Sequence, residues 1–311
     1  MNFASTINSA NKQIEHLGAR LALLALCVAA LLLFFPFVAS AIALAAHDDR
    51  YLQIVCGPLI CLYLIYWDRK NVFSKVAYAP RVGIPLLSVG ALLCLAVAAL
   101  PPNPDPIMRL VPVMFALIVV WQAAFLYCFG THTFRTALYA LCCLWLSVPL
   151  PPGVLDRLTA AYQQGSVSIS FALLELVGVP VFHDDTSFSI PGLDFRIAPE
   201  CSGIHSGLAF LMVALLAGRL YLGSGWGRAI LILSTIPIAM FKNAVRIVVT
   251  TSLGAYVDRS FIDGPFHHRY GGIIFSPLDF LLFIPLMLGL RKLERLGLNR
   301  KRQPSQPVLA H

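Results

Sequence analysis

Eight apolar stretches run along the chain, near 21–46, 51–67, 82–100, 110–130, 136–151, 202–222, 229–251 and 272–290. Most are about the twenty residues that an α-helix needs to cross a bilayer's hydrocarbon core. Inside that core a backbone must satisfy its own hydrogen bonds, and runs of this length do so as helices. The pattern predicts an all-α polytopic membrane protein with about eight transmembrane helices. The first stretch is too long for a cleaved signal peptide and has no small-residue cleavage site. It reads as a span or signal anchor. No repeat, low-complexity block or Gly/Ser linker divides the 311 residues, so 1–311 is expected to be a single integral membrane domain.

Charged residues make up 12% of the chain, against about 25% in soluble domains. That excludes an ordinary soluble enzyme, a disordered chain and a nucleic-acid binder. Eight Cys are scattered over the whole length, seven of them within apolar runs, and do not form a disulfide framework.

Orientation follows from the bias of Lys and Arg between alternate loops. With the N-terminus in the cytoplasm and eight alternating spans, fifteen of the 23 basic residues fall on the cytoplasmic side and six outside. Lys242 and Arg246 lie within the seventh span. Eleven of the fifteen acids fall outside, among them Asp48, Asp49, Asp184, Asp185 and Glu200. Both termini are therefore expected in the cytoplasm, with a short cytoplasmic segment at 1–19. The basic tail at 291–311 should rest on anionic lipid headgroups. Between spans five and six lies the longest outer piece, 152–200. Its first part, 154–181, mixes apolar residues with Asp156, Arg157, Gln163, Gln164 and Glu175, as an interfacial or partly inserted amphipathic helix does. In its second part, Phe188/Ile190 and Phe195/Ile197 alternate on either side of Pro191-Gly192, the spacing of a β-hairpin. So small a hairpin needs support, and it is expected to pack over the membrane domain as a lid or rim.

Three polar groups stand where a membrane makes them costly. In Pro199-Glu200-Cys201-Ser202-Gly203-Ile204-His205-Ser206-Gly207, Cys201 marks the entrance to the sixth span. The unpaired N–H groups and dipole of a helix N-terminus favour a thiolate. Gly203 and Gly207, four apart, allow close helix packing. In Lys242-Asn243-Ala244-Val245-Arg246, within the seventh span, Lys242 and Asn243 share a face with Arg246. That is a polar stripe facing a cavity, or a snorkelling pair without chemistry. The third group, Phe266-His267-His268-Arg269-Tyr270-Gly271-Gly272, precedes the eighth span. All three end on the same side of the membrane in this topology. A thiol, a guanidinium and an imidazole fit one chemistry: attack on a peptide carbonyl, oxyanion stabilisation and proton transfer. One Cys and a His pair on separate elements lack metal-ligand spacing, so no metal or other cofactor is expected.

Cys201-Ser202-Gly203, Asn243 to Arg246, and His267-His268-Arg269-Tyr270-Gly271 ending at Phe275, in that order on successive spans, resemble the exosortase/archaeosortase family. The segment from Ser147 to Val181 also looks like that family's region before the hairpin. The resemblance covers roughly 50–290 and leans to the bacterial exosortases. It implies a membrane cysteine protease or transpeptidase that processes exported proteins. Such substrates carry a C-terminal sorting signal: a short motif such as Pro-Glu-Pro, a span and a basic tail. It further implies a multi-pass protein of a bacterial inner membrane, with its active site on the outer face. On this resemblance Cys201 is the nucleophile, Arg246 a catalytic Arg and His267 the third catalytic residue. His268 and Arg269 are alternates for that third place. His205, Asn243 and Lys242 would be supporting residues. Two rival classes remain. A solute transporter would use Lys242, Asn243 and Arg246 as an anion pathway, although no inverted repeat appears. A membrane acyltransferase would use a His base and leave Cys201 incidental.

Overall fold

The computed structural model describes residues 3–101, 105–184, 186–191, 193–263 and 271–302. They form two compact units, Met1–Pro152 and Gly153–His311.

The first unit holds helices α1 (Phe3–Leu33), α2 (Phe35–His47), α3 (Gln53–Trp67), the short α4 (Arg69–Val72), α5 (Pro80–Ala98) and α6 (Pro106–Cys143). The first apolar stretch is not one straight rod. It breaks at Phe34, and its two arms bend by 78°. Pro36, in the first turn of α2, lacks the N–H that would continue the ladder. The expected fourth span and most of the fifth fall within the stretch Pro106–Ser147. Gly130 interrupts it at φ 83°, ψ 172°. Beyond that point the chain folds back, because the Gln122 side-chain amide donates to the Leu141 carbonyl at 3.0 Å. In a straight helix those residues would stand about 28 Å apart. A Cβ at position 130 would lie 2.2 Å from the Ala77 carbonyl oxygen, so only glycine makes this bend.

Among the described residues, six helical stretches are long and apolar enough to cross a membrane, or seven counting the bent α1–α2 pair as one. The stretch that folds back at Gly130 is counted once here and holds two of the eight spans read from the sequence, so this count neither fixes nor replaces that number. Their windows are only 17–56% buried. The rest of their apolar surface, including Leu92, Leu95, Leu281 and Leu288, is exposed on the chain itself. Exposed apolar area of this extent, on helices long enough to span a bilayer, is the surface that lipid covers. The chain is a multi-pass membrane protein.

The second unit opens with α7 (Pro152–Leu176), whose buried residues Leu155, Thr159, Tyr162, Ser166, Ser170 and Leu174 recur every three or four positions. A three-stranded antiparallel sheet follows: β1 (Phe182–Asp184), β2 (Ser187–Ile190) and β3 (Leu193–Arg196). The expected hairpin is the β2–β3 pair, with Ile190 opposite Leu193 and Phe188 stacked on Phe195 at 5.2 Å. β1 adds a strand that the alternation did not reveal. Helices α8 (Ile204–Tyr221), α9 (Gly225–Tyr256), α10 (Ser260–Asp263) and α11 (Gly271–Arg302) complete the unit.

Three apolar layers are strung along α9. Leu231 packs with Phe210, Ala214 and Phe283. Ala239 packs with Tyr162 and Ile204. Ile247 packs with Val167, Leu174 and the sheet residues Phe188 and Ile190. Eight residues separate successive layers, about 12 Å of helix. Lys242 and Asn243 lie between the second and third layers, where every helix side chain facing inward would ordinarily be apolar.

Candidate active site

Cys201 ends a single turn of 3₁₀ helix, Pro199–Cys201, whose Cys201 N–H donates to the Ala198 carbonyl at 2.9 Å. Gly203 then takes φ 87° and begins α8. This sharp junction exists because of what it packs against. A Cβ on Gly203 would lie 2.9 Å from Asn243 Cγ. Both the left-handed backbone and the close approach require glycine.

Side chains hold all three carbonyls of Cys201-Ser202-Gly203. Asn243 Nδ2 donates to the Cys201 oxygen at 2.8 Å. The Ser166 hydroxyl donates to the Ser202 oxygen at 3.3 Å and accepts from Asn243 Nδ2 at 3.1 Å. The Ser206 hydroxyl donates to the Gly203 oxygen at 3.0 Å. Ser202 and Asn243 are buried, at 0% and 1% exposure. These bonds fix the turn against α7 and α9, although Asn243 Oδ1 itself has no hydrogen-bond partner among the described residues. α7 comes this close because its Tyr162 ring packs on Gly207, where an added Cβ would lie 2.7 Å from the ring. Gln163 on the same helix donates to the Ile197 carbonyl at 2.6 Å. Gly203 and Gly207 therefore face different helices: Gly203 faces α9 and Gly207 faces α7.

Beside half-buried Cys201 lies a cleft of about 50 Å³, lined by Phe195, Arg196, Ile197, Ile247, Thr250 and Thr251. The sheet supplies one wall and α9 the other. It is far smaller than a ligand pocket of about 300 Å³ or more and takes one small group. Arg246 is half-buried on α9, about 4.5 Å of helix rise beyond Asn243 and next to Ile247 of the cleft. His205 is half-buried in the first turn of α8.

Lys242 is 2% exposed. Its ammonium donates to the Ser206 hydroxyl at 2.6 Å and lies 3.5 Å from the Asp279 carboxylate on α11. Asp279 is 4% exposed. Thus Lys242 and Asn243 both reach the Cys201 turn. Asn243 bonds the turn directly and also through Ser166, whereas Lys242 reaches it through Ser206 and is itself faced by Asp279. An acid within an apolar span was the one available signal for Asp279. Ser206 stood in the first polar motif without a role of its own, and Ser166 gave no signal. His267, His268 and Arg269 lie outside the described residues. No cluster of three metal-ligating side chains occurs among the described residues.

The order of the motifs along the chain, and the way Asn243 reaches the Cys201 turn, invite comparison with known families. A family model described as transmembrane exosortase matches residues 45–284. The chain belongs to the transmembrane exosortase family. No curated protein and no solved structure matches this exosortase. Family membership makes the protein, in general terms, a cysteine peptidase or transpeptidase of a membrane.

Proposed function

We propose that this exosortase cleaves the C-terminal sorting signal of exported proteins, a Pro-Glu-Pro-type motif followed by a span and a basic tail. The proposed site faces the outside of the bacterial inner membrane. The observation that carries the reading is the bond from Asn243 Nδ2 to the Cys201 carbonyl. It ties the thiol-bearing turn to the helix face that also carries Arg246.

In this mechanism the Cys201 thiolate attacks the scissile carbonyl carbon, and a C–S bond forms. Arg246 stabilises the negative charge that develops on the carbonyl oxygen. The C–N bond then breaks. His267 first takes the thiol proton and then delivers it to the leaving amine, the work of a group titrating near neutrality. The product is a thioester on Cys201. Water or an acceptor amine releases it by adding to the same carbonyl, and the thiolate returns. His268 and Arg269 are the alternates for the third role.

The test is conversion of a co-expressed substrate bearing such a tail, followed by its mobility shift. Cys201→Ala should abolish conversion while the protein stays in the membrane. Normal conversion by that variant would sink the peptidase reading in favour of a transporter or a His-based acyltransferase.

A further inference from the structure

Asp279, Lys242 and Ser206 form a line of donors and acceptors across three helices. The Asp279 carboxylate on α11 faces the Lys242 ammonium on α9 at 3.5 Å. That ammonium donates to the Ser206 hydroxyl on α8 at 2.6 Å. The hydroxyl's own proton goes to the Gly203 carbonyl at 3.0 Å. Each charge or dipole in such a line polarises the next. The line ends on the backbone of the tripeptide that begins with Cys201.

Stability does not explain the buried pair. Two ions taken out of solvent pay a desolvation cost that their attraction often only matches, and apolar residues of similar size serve as well or better. Nor is the pair optimised, because Asp279 Oδ1 has no hydrogen-bond partner among the described residues. What apolar residues could not supply is direction: a fixed ammonium aimed at one hydroxyl. Asn243 and Ser166 already hold the first two carbonyls of the turn. The third, Gly203, accepts the first backbone bond of α8 from the Gly207 N–H at 2.9 Å, and the Ser206 hydroxyl adds a second bond that tunes the tilt of this carbonyl and so where the first N–H groups of α8 point relative to Cys201.

We infer that Ser206, Lys242 and Asp279 are positioning residues, which hold the Gly203 carbonyl so that the Cys201 thiol meets the N-terminus of α8. The inference rests on Cys201 being the nucleophile. It assigns these three side chains no contact with substrate.

Three variants in the full-length membrane protein test it. Ser206→Ala removes the link. Ser206→Thr keeps the hydroxyl. Lys242→Met combined with Asp279→Leu removes both charges together, which avoids leaving one buried ion alone. Three quantities are read: abundance in the membrane, conversion of the tailed substrate, and the pH midpoint of Cys201 alkylation measured by site-resolved mass spectrometry, with Cys142 as internal control. Ser206→Ala and the double variant should match the wild type in abundance. Each should lose about tenfold in conversion, what one hydrogen bond is worth. Their Cys201 midpoint should rise toward the value of about 8.5 of a free thiol, and Cys142 should not change. Ser206→Thr should restore both conversion and midpoint. Wild-type conversion and an unchanged Cys201 midpoint in Ser206→Ala and the double variant would overturn the inference. So would Ser206→Thr failing as Ser206→Ala does. If Cys201→Ala converts substrate normally, the nucleophile reading fails by itself, and the alkylation midpoint still reports whether the network positions the turn.

Discussion

Arg246 and Asn243 share one face of α9, and the amide of Asn243 holds the Cys201 carbonyl at 2.8 Å. A guanidinium one turn further on offers a planar fork of donors with a charge that does not titrate. Lysine keeps the charge and loses the fork. Arg246→Lys should therefore insert and accumulate normally, yet lose about 10²–10³ in rate, the usual cost of one oxyanion donor. Conversion near the wild-type rate would remove Arg246 from the oxyanion role. The third motif gives a second expectation at this scale. Consecutive side chains point to different sides, so His267→Ala should remove most activity and His268→Ala should spare it. The reverse result would move the third role to His268. Activity in both, with Arg269→Ala dead, would replace the imidazole by a guanidinium. In the same conversion assay, these three variants separate the possibilities.

The junction between the Pro199–Cys201 turn and α8 works as one element with Asn243. Position 203 needs φ 87° and has no room for a Cβ. An L-residue in that conformation costs about 1–2 kcal/mol, and the contact with Asn243 adds to it. Gly203→Ala should thus cost conversion without displacing the protein from the membrane. Melting of the purified protein should shift down at the same time, and a variant as active and as stable as the wild type would contradict the geometry. The elements themselves were legible to different degrees. The β2–β3 pair was readable because alternation has a period of two and Pro191 interrupts it. β1 was not, since three residues carry too little pattern. The single-turn bend at Phe34 and the fold-back at Gly130 lay hidden for another reason. Apolarity summed over twenty residues records how much lipid a segment can cover, not whether its axis turns.

At the scale of the whole molecule, the charge bias between loops predicts a topology: both termini in the cytoplasm, 152–200 outside. A Ser187→Cys variant, in a background lacking the eight native cysteines, should react with an impermeant thiol reagent in intact cells. Protection until lysis would invert the arrangement. The placement matters because the Cys201 turn, the sheet and the outer end of α9 would share that side, and an exported substrate would reach them there.

What the sequence alone determined is what adds up locally. Spans follow from apolarity counted over a bilayer's thickness, an expected topology from charges counted loop by loop, and the candidate nucleophile from a Cys placed among polar residues at a helix entrance. Tertiary structure alone decided which side chains meet. Ser166, Ser206 and Asp279 come from three different helices, and nothing in their local sequence records that Asn243 and Lys242 will reach them. The physical reason is that a hydrogen bond requires ångström-level placement. That placement arises only when Gly203 and Gly207 let α7, α8 and α9 close on one another.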